Sequence, residues 1–375
     1  MPNGTVAAAA HHTFFLTSAG ELWGCGSNYC NQLADIDKNE HVGHTIEKPR
    51  PIQTHFQERI VSLFAGGGHS FFVEENGALW ACGEIFNSKG RALSRVPLPF
   101  SLKSIASNSV CTYFLDENGS IWHHVEDFSN DPLANPEKFG AGHLPPIIAI
   151  SAREFYSLFL DESGSVWSCG SNDFGKLGLG DSDKRDVPCK INDLPPIQAM
   201  SVGFYHTLLL DENGSVWVCG RNEQGQLGTN TNNQSKPIKN DSLPPIQQVA
   251  AGASHSIFLD IEGFVWVCGE NWFGQLGLGD TRARWTPEKV EKTAVPIEIQ
   301  MEIVRLPEII LVSAGNNNSV FVDATGSAWL CGENTCCELG LGDYLHRNLP
   351  FKNEGLPQLK LPFSYSKVKS ARNKK

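Results

Sequence analysis

Four histidine and cysteine pairs, His12 with Cys25, His69 with Cys82, His206 with Cys219 and His255 with Cys268, recur at one spacing of thirteen residues. Such residues can serve as base and nucleophile, or as zinc ligands. Zinc needs three or four converging ligands, however, and one pair per repeat leaves the pairs tens of ångströms apart on strands spaced ~5 Å. Buried thiols are also ordinary core residues, so the pairs read as structure, with no metal site and no cofactor. The glycine-rich phrases "GKLGLGD" (175–181) and "GQLGLGD" (274–280) suggest a phosphate loop. That loop requires Gly-x-x-x-x-Gly-Lys-Ser/Thr leading into a helix, whereas this phrase returns as "ELGLGD" at 338–343 with no helical pattern behind it. The carboxylates of "DENG" at 116–119 and 211–214 are accounted for by turn chemistry. No catalytic constellation remains.

What positions all of these residues is a repeat. Trp23, Trp80, Trp122, Trp167, Trp217, Trp266 and Trp329 follow one another at 42 to 63 residues, a period that signals a solenoid, a propeller or an array. In the sixth copy "SIFLD" and "FVWVC" are short, β-branched and aromatic, and flank a tight turn. Lead-ins such as Pro195-Pro196 and Pro244-Pro245 open a third strand, and "RDVPCKI" and "RWTPEKV" carry a fourth. The expected fold is all-β: a seven-bladed β-propeller of four-stranded antiparallel blades. The chain starts without a lead-in and ends with a spare one, so residues 356–364 are expected to supply the first blade's missing strand and close the ring. Residues 1–365 read as one domain, and 366–375 as a basic tail.

A net charge of −11 over 375 residues disfavours direct nucleic-acid binding by the body of the protein. No segment approaches the ~20 apolar residues of a membrane span, and the first residues lack an export pattern. Eleven cysteines, an odd number, read as reduced thiols in a cytoplasmic or nuclear compartment. A monomer without membrane contact is expected.

The stretch "AGASHSIFLDIEGFVWVCGENWFGQLGLGD" (251–280) resembles the repeat of the regulator of chromosome condensation family. The likeness extends over about residues 6–365. It implies a seven-bladed propeller, and far less about function, because one fold hosts many functions. The founding member is a guanine-nucleotide exchange factor for the small GTPase Ran; relatives serve as binding modules. Its GTPase-facing loops lie between Ala-Gly and His of each repeat. Carried over, that face holds His12, His69, His206 and His255, with Cys111, Tyr156 and Asn318 where histidine is replaced. The variable pairs just before these positions form an expected specificity layer: Ala10-His11, Gly67-Gly68, Ser109-Val110, Glu154-Phe155, Phe204-Tyr205, Ala253-Ser254 and Asn316-Asn317. Phe155, Tyr156, Phe204 and Tyr205 place aromatics on adjacent blades, as interface anchors do, and Trp272, Phe273 and Trp285 form a second candidate patch.

Copies two and three depart from the pattern, reading "NSKGRALSRV" (87–96) and "HHVEDFSNDPLANPEKFGAGH" (123–143), and neither matches the exchange factor's wedge. Connections at 35–51, in the third copy and at 290–306 are long enough to bear binding residues. The expectation is therefore a non-enzymatic scaffold for a protein partner, a small GTPase among the options. The alternative is an exchange factor for a Ran-like GTPase.

Overall fold

The computed structural model describes residues 5–34, 44–52, 56–66, 68–85, 88–109, 111–125, 136–140, 142–297 and 300–361. The basic tail, the connection at 35–43, Gly67, Val110 and residues 126–135 of the third copy lie outside the described residues. Seven sheets follow one another along the chain, and in each the four blade strands run antiparallel from an innermost strand outward in sequence order. Blade five is representative: Ile197–Val202, His206–Asp211, Val216–Gly220 and Gln234–Lys239. The innermost strands line a central cavity of about 840 Å³. Among the described residues the one helical turn is Asp173–Gly175.

Packing explains why the sequence reads as it does. Every residue of the second strand is buried in blades four to seven, because each face of a blade lies against a neighbour, and strands covered on both faces read as continuous apolar runs. The core is accordingly divided among the seams. Between blades five and six, Leu208, Leu210, Val216 and Val218 meet Phe258, Cys268 and Trp266.

The turn aspartate does more than shape a turn. Asp211 Oδ1 accepts the backbone N–H groups of Asn213 (2.9 Å) and Ser215 (2.8 Å), and Oδ2 accepts the Trp217 indole N–H at 3.1 Å. Asp116, Asp161, Asp260 and Asp323 hold Trp122, Trp167, Trp266 and Trp329 in the same way. Trp329 is the buried one, set in the apolar seam between blades six and seven with Val267 and Leu276. Trp329→Ala is expected to cost about 3–5 kcal/mol in urea unfolding, and the half-buried Trp217→Ala less. A loss below about 0.5 kcal/mol at Trp329 would exclude this anchoring role.

Two expectations need correcting in detail. The ring is closed by the C-terminal segment joining the N-terminal blade, but that segment supplies only one end of the innermost strand. Val6–Ala8 pairs with the second strand of blade one, while Leu359 pairs opposite Thr17, the place that Ile197 takes opposite Asp211 in blade five. The connection at 290–306 is largely a hairpin, Lys292–Ile297 with Gln300–Arg305. It extends blade seven to six strands through a parallel pairing of Ala294 with Phe351. Pro296 lies on the strand between Gln300–Arg305 and Arg347–Lys352, beyond the single pairing with the latter at Ala294. In blade two, "NSKGRALSRV" lies within Ser88–Val96 apart from its first residue, and this strand folds straight back on Leu79–Ile85 with no long loop between them. Blade three keeps a short outer strand, Glu137–Phe139.

Candidate functional site

Strand alternation puts two kinds of loop on one end of the ring: those joining first to second strands, where the variable pairs lie, and those joining third to outer strands, which carry "GQLG". The four histidines lie beneath this end, not on it. His12, His206 and His255 are fully buried and His69 nearly so. The Nε2 atoms of His12, His206 and His255 lie 3.0 Å from the hydroxyls of Ser70, Ser256 and Ser319 in the next blade. Each of those hydroxyls donates to a loop carbonyl of the histidine's own blade: Gln32 (2.7 Å), Gln226 (2.6 Å) and Gln275 (2.6 Å). A serine that donates there must accept from the histidine, so the network assigns the neutral Nε2–H tautomer.

The same arrangement explains two further letters of the repeat. The Cys82, Cys268 and Cys331 thiols point at those loop carbonyls, at 3.4–3.5 Å. A Cβ at Gly203 or Gly252 would fall 2.3 or 2.2 Å from Nδ1 of the following histidine, so Ala-Gly precedes His because the imidazole occupies the space a side chain would need. Burial drives His12, His206 and His255 down to about 3, and His69 to about 4. All four histidines thus lie beneath the face on which the resemblance placed them: His12, His206 and His255 staple adjacent blades through serine, whereas His69 is buried with no hydrogen-bond partner at Nε2. Tyr156 joins them: it is fully buried, and its hydroxyl donates to the His206 carbonyl at 2.6 Å.

The exposed chemistry gathers at the seam of blades four and five. Phe155 is 53% exposed, beside Glu154, whose backbone is left-handed (φ 50°), a strain that a non-glycine residue carries only when held in place. Tyr205 meets Phe174 edge-on at 5.6 Å and Phe204 at 6.5 Å. The Arg221 guanidinium covers Phe174 (5.1 Å) and Tyr205 (5.7 Å). Under Tyr205 lies Lys176, a buried cation 4.9 Å from that ring and 5.0 Å from Tyr156. Burial lowers the lysine's pKa, against the opposing pull of Asp173 3.5 Å away. Arg153 faces Phe204 at 5.2 Å and reaches across the channel mouth to the Ala251 carbonyl (2.9 Å) and Asn316 Oδ1 (2.5 Å). Burial brings this arginine down to about 10, so it stays charged at neutral pH.

The remaining candidates are spread around the rim. Asn317 is half-buried and donates to Glu333 at 3.0 Å. Trp272 (64%) and Trp285 (44%) are exposed on blade six, while Phe273 packs edge-on against His346 at 5.1 Å. Phe174, Arg153, Arg221 and Lys176 were not among the residues picked from sequence. One signal for them was present: Lys176 breaks a position held by Gln32, Gln226 and Gln275 in other blades.

Comparison with known proteins agrees with this architecture. The RCC1-like domain family matches residues 103–370, and the Regulator of chromosome condensation (RCC1) repeat family matches residues 5–32. Among curated relatives, Protein RCC2 of Homo sapiens is 34% identical over 77 residues, covering 20% of this chain and 14% of that protein. The Rho GTPase-activating protein gacGG of Dictyostelium discoideum is 36% identical over 75 residues, covering 20% of this chain and 6% of that protein. Both alignments thus span a small fraction of the relatives' length. Prp20p from Saccharomyces cerevisiae, solved in work on its binding to Gsp1p and histones, superimposes with a TM-score of 0.71 at 19% identity over 98% of this chain and 95% of its own, a likeness of fold. With the seven blades, the buried His–Ser staples and a family match over most of its length, this chain belongs to the RCC1-like domain family.

Proposed function

We propose that the chain is a non-enzymatic protein-interaction scaffold whose partner docks on the loop end of blades four and five. The observation that carries this reading is the assembly of Phe174, Phe204 and Tyr205 with Arg153, Arg221 and buried Lys176 beside exposed Phe155. Aromatic and arginine side chains on a rigid support are the usual anchors of interfaces. Glu154, Asn316, Asn317, Trp272, Phe273 and Trp285 extend the proposed contact zone around the same end. Phe155→Ala combined with Tyr205→Ala is expected to cut partner capture by tenfold or more, since anchor residues contribute about 2 kcal/mol each. Val187→Ala, on the outer strand of blade four, serves as the exposed control. Equal capture by wild type and the double variant, at equal folded fraction, would reject the surface.

The second reading, an exchange factor for a Ran-like GTPase, draws its support from the likeness to Prp20p, which was studied for binding to Gsp1p. It is tested by release of labelled GDP from such a GTPase. Accelerated release by catalytic amounts of this protein would favour exchange over scaffolding. Either reading uses a protein partner and no covalent chemistry.

A further inference from the structure

We propose that the seam between the last and first blades carries a binding site for a zinc-class divalent cation, ligated by His11 Nδ1, Cys336 Sγ and the Glu338 carboxylate. The ligand atoms of these three residues lie within 4.8 Å of one another, and Nδ1 and Glu338 Oε1 are 3.7 Å apart. Tetrahedral zinc, with bonds of about 2.0–2.3 Å, spaces its ligands by roughly 3.3–3.8 Å. The set therefore needs to contract by about 1 Å at its widest, within reach of an exposed imidazole. In the sequence only the four His–Cys pairs suggested a metal, and they lie too far apart to converge; these ligands belong to none of those pairs and come from opposite ends of the chain.

A second observation points the same way. The Glu338 side chain is fully buried. Its Oε2 accepts the Cys336 N–H at 2.9 Å, while Oε1 has no hydrogen-bond partner. A buried carboxylate oxygen is costly unless a cation faces it. His11 approaches this oxygen, but at a distance too long for a hydrogen bond.

The other seams show what the repeat puts in these places. Gln32, Gln226 and Gln275 stand where Glu338 does, Gln224 stands for Cys336, and Ser254 stands for His11. Only a fold that closes on itself brings residue 11 to residues 336 and 338. One imidazole, one thiolate and one carboxylate suit zinc better than magnesium or calcium, which prefer all-oxygen shells. On binding, the Cys336 thiol releases its proton to solvent as the Sγ–metal bond forms, and the half-exposed side of His11 leaves a fourth position to water.

The test is a Co²⁺ titration of the reduced full-length protein, followed by displacement with Zn²⁺. One ion per chain and a thiolate-to-cobalt charge-transfer band are expected. Cys336→Gln should abolish the band, and Glu338→Gln and His11→Ser should each weaken zinc by about 100-fold or more. Each substitution copies a residue of another blade, so the metal-free melting temperature should change little. Cys30→Ser and Cys189→Ser, at two other partly exposed thiols, should keep the band. The proposal is overturned if wild type shows no thiolate band, if Cys336→Gln retains it, or if zinc affinity is unchanged in both Glu338→Gln and His11→Ser.

Discussion

Between about pH 6.5 and pH 5 the protein is expected to lose most of its stability, well before its carboxylates titrate. The cause is the set of buried, neutral histidines. His12, His206 and His255 are held at about 3, and His69 at about 4, by burial, against 6.5 in the unfolded chain. Below pH 6.5 the unfolded state therefore binds more protons, so stability falls as pH falls. Each such histidine removes up to about 1.4 kcal/mol per pH unit, or about 2 kcal/mol by pH 5. Four together approach the whole 5–15 kcal/mol of an ordinary domain.

The network supplies the physical reason. With Nε2–H donating to the next blade's serine, Nδ1 of His12, His206 and His255 is buried without a partner, and a second proton there would have no acceptor. Arg153 adds an unfavourable positive charge near His206 and His255, as His69 does near His12. His11 acts oppositely: Glu338 raises its pKa, so it favours the folded state below the unfolded pKa and adds no slope once both states are protonated. Below about pH 4 a further loss begins. At Asp161 burial works to raise the pKa, but hydrogen bonds from Ser163, Trp167 and backbone N–H groups outweigh it, so its stabilisation fades as pH drops through the lowered value. Urea unfolding from pH 7.5 to 5 measures the slope. His206→Asn with His255→Asn, which copies Asn318 of blade seven, should remove about two protons from it. A flat profile over that range, or an unchanged slope in the double variant, would refute the account.

How much of this was legible in the sequence differs between fold and site. Seven tryptophans and the "LD…G…VWVCG" phrase specified blades, strand order and turns, because each blade solves the same packing problem and repeats its answer. The same repetition misled the reading of function. His206 and His255 recur because each staples its seam to the next blade's serine, so recurrence marked structure, while the resemblance placed them on a binding face. Phe155, Phe204 and Tyr205 do not recur, and these are partly or largely exposed at the rim. Lys176, Glu338 and His11 were harder to see, since Lys176 gains its meaning from rings twenty to thirty residues away and the other two from each other, over three hundred residues apart. The hairpin at 292–305 was missed because the stretch 290–306 reads as a long connection rather than as strands.

Removal of residues 356–375 is expected to lower the melting temperature far more than loss of a surface strand would, because those residues hold the one seam that no covalent chain crosses. Leu359 is buried in the apolar cluster of Val6, Phe15, Leu311 and Val320, which spans blades one and seven. Its amide donates to the Gly326 carbonyl (2.9 Å), the Lys360 amide donates to Leu16 (2.9 Å), and Gln358 accepts from the Ser18 amide (2.9 Å). Leu359→Ala alone should cost about 2–5 kcal/mol; truncation adds the orphaned backbone groups, each about 1–3 kcal/mol if they stay buried. Val6–Ala8 already gives blade one four strands, so a fold that relied on strand number alone would tolerate the truncation. A chain ending at residue 361 separates the closing strand from the residues beyond it: it should melt like the full-length protein, while a chain ending at 355 should not. Equal melting of all three would show that Val6–Ala8 closes the ring unaided.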